Sequence, residues 1–345
     1  MKKKNIIISG IIFIFLIFIT FFIIFHNYSF TTIYSNIKNV SLVYILICLI
    51  LIILYFICQG TYFKLILKSE NENITFFQGI YYSIVEFFFS AITPSSTGGQ
   101  PIQLYYMTKD KIPMRKSIIA LILNTMIFKL FFVVGGILIL IFSKELVFNN
   151  GLLIEMLFFL GLLIDILMII GCLLLMYNQR IIAVILKIFY KLKNRLSKNK
   201  KDYNNTIVEI LEKYVDEAKF INENKRTIII SIIITFIQRI LLFSITYVIY
   251  RSFRFNTLNY FEILLLQIFV QIACEGIILP GGVGVSEFIS KYLFKTCFGI
   301  YFTSAMVICR TLSFYFPLVI LLFVILFVTK KYCSNEKLNV NLTKN

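Results

Sequence analysis

Eight long apolar stretches dominate the 345-residue chain: 6–25, 42–67, 76–92, 117–142, 152–176, 227–250, 260–279 and 301–329. As a helix, about 20 apolar residues match the ~30 Å hydrocarbon thickness of a bilayer. In lipid every backbone N–H and C=O must be paired within the chain, so separate segments of this kind can cross only as helices. The expected fold class is therefore an all-α polytopic membrane protein, a single integral domain over residues 1–345. Composition agrees, because 59% of residues are hydrophobic and the mean hydropathy is +0.88, well above soluble domains. The first stretch follows Met1–Asn5 and runs into His26, Asn27 and Tyr28 without a small-residue cleavage pattern. It reads as a retained first span and not a removed signal.

A net charge of +17 would suggest nucleic acid in a soluble protein. Here Lys and Arg concentrate in loops beside apolar stretches, where they set topology and attract anionic headgroups, so no nucleic-acid partner is expected. The seven cysteines lie mostly inside apolar runs without CxxC spacing, and the one histidine, His26, sits at a span end. No disulfide framework, metal site or cofactor is implied. Without tryptophan, the 20 tyrosines must supply the interfacial aromatic belts.

Charge also decides which stretches cross. Lysines at the N-terminus place residue 1 in the cytoplasm, and Lys64 and Lys68 lie inside again after two crossings. The next basic cluster, Lys109, Lys111, Arg115 and Lys116, should also be inside, yet 76–92 lies between the two. A re-entrant hairpin resolves this: a helix over 76–92 enters, breaks at TPSSTGGQP (93–101) and returns through IQLYYM (102–107). The basic loop 177–226 carries twelve Lys/Arg against six Asp/Glu and reads as cytoplasmic, with an amphipathic helix over 207–221 packing on the spans or the membrane. Lys330 and Lys331 put the C-terminus inside, leaving 260–298 as a second hairpin entered from outside, which places Arg251, Arg254, Lys291 and Lys295 against the charge bias.

Residues 1–145 and 152–330 then share one plan: span, span, hairpin, span. With three crossings per half, six in all, the second copy is inverted, as in secondary transporters whose broken helices meet near the midplane. Both expected tips are glycine-rich, with Gly98 and Gly99 in the first and Gly281, Gly282 and Gly284 in the second. A helix beginning after such a break offers unpaired N–H groups to an anion. A single tip of this kind would be a packing turn; two opposed tips point to a substrate path. Ionisable residues inside the apolar stretches are the second clue, because a charge at the bilayer centre costs on the order of 3 kcal/mol even on a lenient scale. Glu86, Lys129, Asp165, Arg239, Glu275, Glu287 and Arg310 qualify. Glu275 and Glu287 bracket the second tip and Arg310 lies in the last span, so these three are expected close together, either as a structural ion pair or as a pair that opens to a charged headgroup. Lys129 and Asp165 read equally well as structural charges. Gln100 and Gln103 at the first tip supply neutral hydrogen bonds to a ligand or to broken backbone.

Three stretches, TPSSTGGQPIQLYYMTKDKIP (93–113), LPGGVGVSE (279–287) and CRTLSFYFPLVI (309–320), resemble the lysylphosphatidylglycerol synthase transmembrane region, the flippase-like domain of bacterial multiple peptide resistance factors and their stand-alone relatives. Arg310 and Pro317 stand where that family has an arginine and a proline in its final span. The resemblance covers about residues 5–330. It implies a bacterial plasma-membrane protein that moves aminoacylated phosphatidylglycerol between leaflets, with Glu287, Arg310, Glu275, Arg239, Glu86 and the tip residues in its headgroup path. The cytosolic lysyltransferase domain of two-part members is absent, so the enzyme activity in the family's name is not expected of these residues alone. Two other readings stay open: a membrane subunit working with a separate synthase chain, and a carrier of another small anionic or isoprenoid-phosphate substrate.

Overall fold

The computed structural model describes residues 38, 40–93, 98–177, 223–277 and 284–327, and the secondary structure among them is helical throughout. The first expected span and the helix expected over 207–221 lie outside the described residues, as do Gly281 and Gly282. Helix α1 (Leu42–Ser69) is followed by α2 (Phe76–Ile92), α3 (Gly99–Lys109), α4 (Met114–Phe142), a short α5 (Glu145–Phe148) and α6 (Leu152–Tyr177). After the 177–226 region come α7 (Lys225–Ser252), α8 (Tyr260–Cys274), α9 (Val285–Phe298) and α10 (Phe302–Arg310). The last of these runs through a π-helical turn, Thr311–Tyr315, into a helical stretch ending at 327. Among the described residues, five helices are long and apolar enough to cross a membrane: α1, α4, α6, α7 and the final Gly299–Phe327. At 17 and 15 residues, α2 and α8 fall short of the ~20 a crossing requires.

The boundaries have local causes. Helix α1 stops where Asn71 takes a left-handed backbone (φ 61°), while Glu70 N–H closes onto the Ile66 and Leu67 carbonyls. The two short apolar helices begin in the same way. At α2 the Gln78 N–H donates to Thr75 Oγ1 (3.2 Å) and the Thr75 N–H to Gln78 Oε1 (2.8 Å). At α8 the Glu262 N–H donates to Asn259 Oδ1 (2.9 Å) and the Asn259 N–H to Glu262 Oε2 (2.7 Å). Each reciprocal pair satisfies two otherwise orphan donors. In the last span Pro317 has no N–H to give the Ser313 carbonyl, and its ring crowds that position; the π turn just before it takes up the mismatch.

The packing repeats between halves. Helix α2 lies on α1 and α3, and α3 on α4; in parallel, α8 lies on α7 and α9, and α9 on α10. The most extensive pairing is α1 with α7. Two apolar clusters result. One centres on α1–α3 and part of α4, the other on α4 and α6–α10. Outside, large apolar side chains face outward, among them Leu42, Ile53, Leu152, Leu167, Ile229 and Phe323. Although α1 has a window of mean hydropathy 2.9, only 28% of that window is buried within the protein, so the remaining apolar surface is covered by hydrocarbon.

A candidate headgroup site in the buried charges

The second glycine-rich region holds its charges at the start of α9. Gly284 has φ +85°, a conformation that suits glycine, and its N–H donates to Glu287 Oε2 (2.6 Å). Ser286 Oγ donates to the same oxygen (3.0 Å). The other carboxylate oxygen receives Arg310 Nε from the end of α10 at 3.0 Å, with both side chains about one-fifth exposed. Glu287 therefore caps its own helix and neutralises a guanidinium in the neighbouring span. This arrangement leaves the carboxylate where an external anion would meet the helix N-terminus and the arginine together.

A cavity of about 50 Å³ lies between α7, α8, α9 and α10. Its polar lining includes Arg310, Ser286, Ser290, Ser313, Thr246, Gln267 and Gln271, and rings of Phe294, Phe298 and Phe302 close the apolar side. Thr246 Oγ1 donates to Gln267 Oε1 (3.1 Å) across it. A polar cavity of this size accommodates a few waters or a small polar group.

Glu275 stands elsewhere than the sequence suggests. Helix α8 ends at Cys274, earlier than the apolar run to 279, and places Glu275 at its C-terminus, where Lys129 Nζ meets Glu275 Oε1 at 2.7 Å. Lys129 also meets Asp165 Oδ1 at 2.9 Å. The expected grouping of Glu275 with Glu287 and Arg310 is thus divided: Glu287 and Arg310 pair, and Glu275 joins Lys129 and Asp165. Both sets lie within electrostatic range of Cys274. The Asp165 side chain is fully buried, and its Oδ2 has no hydrogen-bond partner among the described residues. Close helix approach assembles this cluster. An added Cβ at Gly161 would overlap the Ile272 carbonyl, so α6 and α8 touch backbone to backbone one turn before Asp165 and Glu275.

The first-half candidates form a milder neighbourhood. Arg239 of α7 donates through Nη1 to Tyr55 Oη (3.4 Å), and its guanidinium carbon lies 3.8 Å from the Phe128 ring centre. Glu86 accepts from Ser90 Oγ (3.3 Å) and lies within electrostatic range of Arg239. Gly99 packs against Ser90 and the Glu86 carbonyl, and the Gly98 N–H donates to Thr93 Oγ1 (2.8 Å). Gln100 Nε2 donates to Thr125 Oγ1 on α4. Gln103 is completely buried, and neither amide atom has a partner among the described residues. The Lys129 ammonium sits 5.4 Å from the centre of the same Phe128 ring, so both cations lie near this one ring.

Sequence reasoning gave Lys129 and Asp165 no part in this grouping, although a signal was present. Lys129 lies 13 residues before Phe142, the end of α4, and Asp165 lies 13 residues after Leu152, the start of α6. In two antiparallel helices joined by a short loop, equal offsets put the charges at equal depth, about 20 Å from the turn. The paired caps TFFQ (75–78) and NYFE (259–262) were equally readable as residue-level traces of a repeat.

Five crossing-length helices enclosing buried ion pairs define a multi-pass membrane protein with a charged interior. The chain belongs to the lysylphosphatidylglycerol synthase TM region family, whose model matches residues 6–328. That membership makes it a membrane protein of lysylphosphatidylglycerol synthesis or flipping, associated with membrane phospholipid. No curated protein matches the chain.

Proposed function

We propose that this protein is a flippase-like carrier that moves an aminoacylated phospholipid, such as lysylphosphatidylglycerol, between the leaflets of the bacterial plasma membrane. The observation that carries the reading is the polar cavity lined by Arg310, itself paired with Glu287, inside a shell of outward-facing apolar side chains. In this reading α2–α3 and α8–α9 are re-entrant hairpins from opposite faces, within six full spans and with both termini cytoplasmic. Their sub-crossing length, matched capping boxes and repeated packing support it. The headgroup phosphate takes the place of the Glu287 carboxylate against Arg310 and the Gly284 N–H. The released carboxylate then accepts one ammonium of the aminoacyl group, so the phosphate and that ammonium are both paired. Gln100, Gln103, Glu86 and Arg239 continue the polar route in the first half.

Proteoliposomes carrying fluorescent lysylphosphatidylglycerol test this, with transfer read by quenching of the outer leaflet. Transfer faster than in empty liposomes, and lost in folded Arg310→Ala, is expected; transfer equal to empty liposomes refutes the reading. Mass spectrometry of co-purifying lipid identifies the headgroup directly. A second reading, a membrane component of phosphatidylglycerol lysyltransferase acting with a separate synthase chain, is favoured by the family description. Co-purification of such a chain would support it.

A further inference from the structure

Glu86 faces Arg239 and Glu287 faces Arg310, but Lys129 faces both Asp165 and Glu275. If every one of these groups were ionised, the cluster around Lys129 would hold one carboxylate charge in excess. It does so inside an apolar segment, where an uncompensated charge is strongly disfavoured. The groups facing the cluster do not relieve it. Phe128 of α4 contributes only a ring, on which Arg239 of α7 packs; the charges acting on Asp165 are Lys129 and Glu275, without Arg239, while α6 adds Cys172 and the end of α8 adds Cys274. The Arg310 guanidinium is held by Glu287 of α9. Of the two carboxylates, Glu275 is partly exposed and bound by Lys129, whereas Asp165 is fully buried with Oδ2 unpartnered among the described residues.

We propose that the Lys129–Asp165–Glu275 cluster is a proton-binding site, with the proton on the Asp165 carboxyl, and that this proton exchanges against the net positive charge of a lysyl headgroup during transport. A proton needs no volume at a fully buried oxygen, whereas an ammonium brings three donors that each require an acceptor. A lysyl ester carries two ammonium groups against one phosphodiester, so the bound headgroup brings one net positive charge. Its arrival supplies the charge that the proton supplied in the empty site, and the proton leaves; its departure requires the proton again. The atoms balance as one proton released per headgroup bound. The exchange rests on the carrier reading above; the proton site itself does not.

Infrared difference spectroscopy of the protein in lipid nanodiscs, titrated with pH and without added aminoacyl lipid, reads the proton directly. At neutral pH the wild type shows the band of a protonated carboxylic acid. Asp165→Asn abolishes the band, and Glu275→Gln moves its loss to lower pH because the excess charge is gone. A wild-type spectrum without the band overturns the site whatever the variants do, as does a band unchanged in Asp165→Asn. In proteoliposomes, a one-unit pH gradient should drive up to about tenfold leaflet asymmetry of lysylphosphatidylglycerol, since one unit is tenfold in proton activity. Asp165→Asn should move the lipid without that asymmetry. Transfer that ignores the pH gradient, or follows sodium instead, overturns the exchange while the carrier reading stands. A band present with no lipid transfer supports the proton site and removes the carrier reading together with the exchange.

Discussion

Breaking the Glu287–Arg310 pair provides the sharpest test of how the second glycine-rich region is held. The Glu287 carboxylate makes three contacts, with Arg310 Nε at 3.0 Å, Gly284 N–H at 2.6 Å and Ser286 Oγ at 3.0 Å. In Glu287→Gln the amide oxygen still caps the helix, so the loss is the charge partner of Arg310. Removing one partner of a fully buried pair costs about 3–5 kcal/mol; with about one-fifth of each side chain exposed, roughly 2–3 kcal/mol is expected. Glu287→Ala also removes the cap, adding about 1 kcal/mol. Arg310→Met alone should cost a similar amount to Glu287→Gln, because it leaves a carboxylate unpaired. The double variant, Glu287→Gln with Arg310→Met, leaves no stranded charge and should cost no more than about 1 kcal/mol against summed single losses of about 4–6 kcal/mol, a coupling of at least about 3 kcal/mol. At roughly 2 °C per kcal/mol for a chain of this size, thermal unfolding in detergent resolves the difference. Additive shifts, with coupling below about 0.5 kcal/mol, would show that the pair does not carry the electrostatic load assigned to it.

Gly161→Ala should lower stability by about 1–3 kcal/mol, despite a helix-propensity gain of about 1 kcal/mol, because the methyl meets the Ile272 backbone. Gly171→Ala on the same helix meets nothing within 4 Å and should be neutral or stabilising; a stabilising Gly161→Ala would refute the close approach. Gln103→Leu removes two unpartnered buried amide atoms and should leave stability unchanged or raise it by about 1 kcal/mol, while slowing lipid transfer if the amide serves the route. Equal transfer rates would exclude Gln103 from the path. Outside the spans, burial raises the Glu70 carboxyl above its usual range, against the lowering pull of Lys116 and Arg115. The folded state therefore binds the proton more tightly than the unfolded one, so stability falls as pH rises from the unfolded value through the folded one. Glu70→Gln should flatten that part of the pH–stability profile, and an unchanged slope would refute the assignment.

Hydropathy made the helices legible, because lipid imposes length and apolarity directly on sequence. The 76–92 run is α2 residue for residue, and the 152–176 run ends one residue short of α6. Charge pairing was less legible. Nothing in local sequence tells Glu275 to choose Lys129 over Arg310; that choice follows from α8 ending at Cys274 and from α6 lying against α8 at Gly161. Arg310 and Glu287 were readable as partners because each sits beside a backbone feature the sequence announces, Pro317 after the one and Gly284 before the other. The two capping boxes escaped notice because their residues differ, Thr and Gln against Asn and Glu, while the hydrogen-bond pattern is shared.

The distribution of charge also bears on which headgroup the proposed route would favour. Arg310 lines the cavity and its pair with Glu287 is neutral, and a zwitterion that replaces the pair leaves the total unchanged. Nearby, within range of Cys274, the Lys129 cluster contributes either a proton or one excess negative charge. An anionic headgroup such as plain phosphatidylglycerol adds a negative charge where the protein already has one to neutralise, and would require the cluster to stay protonated throughout. A lysylated headgroup brings the opposite sign and relieves the same excess. Selection between the two therefore rests less on shape than on a single surplus carboxylate, left uncompensated because the Arg239 guanidinium acts on Glu86 and is not among the charges acting on Asp165.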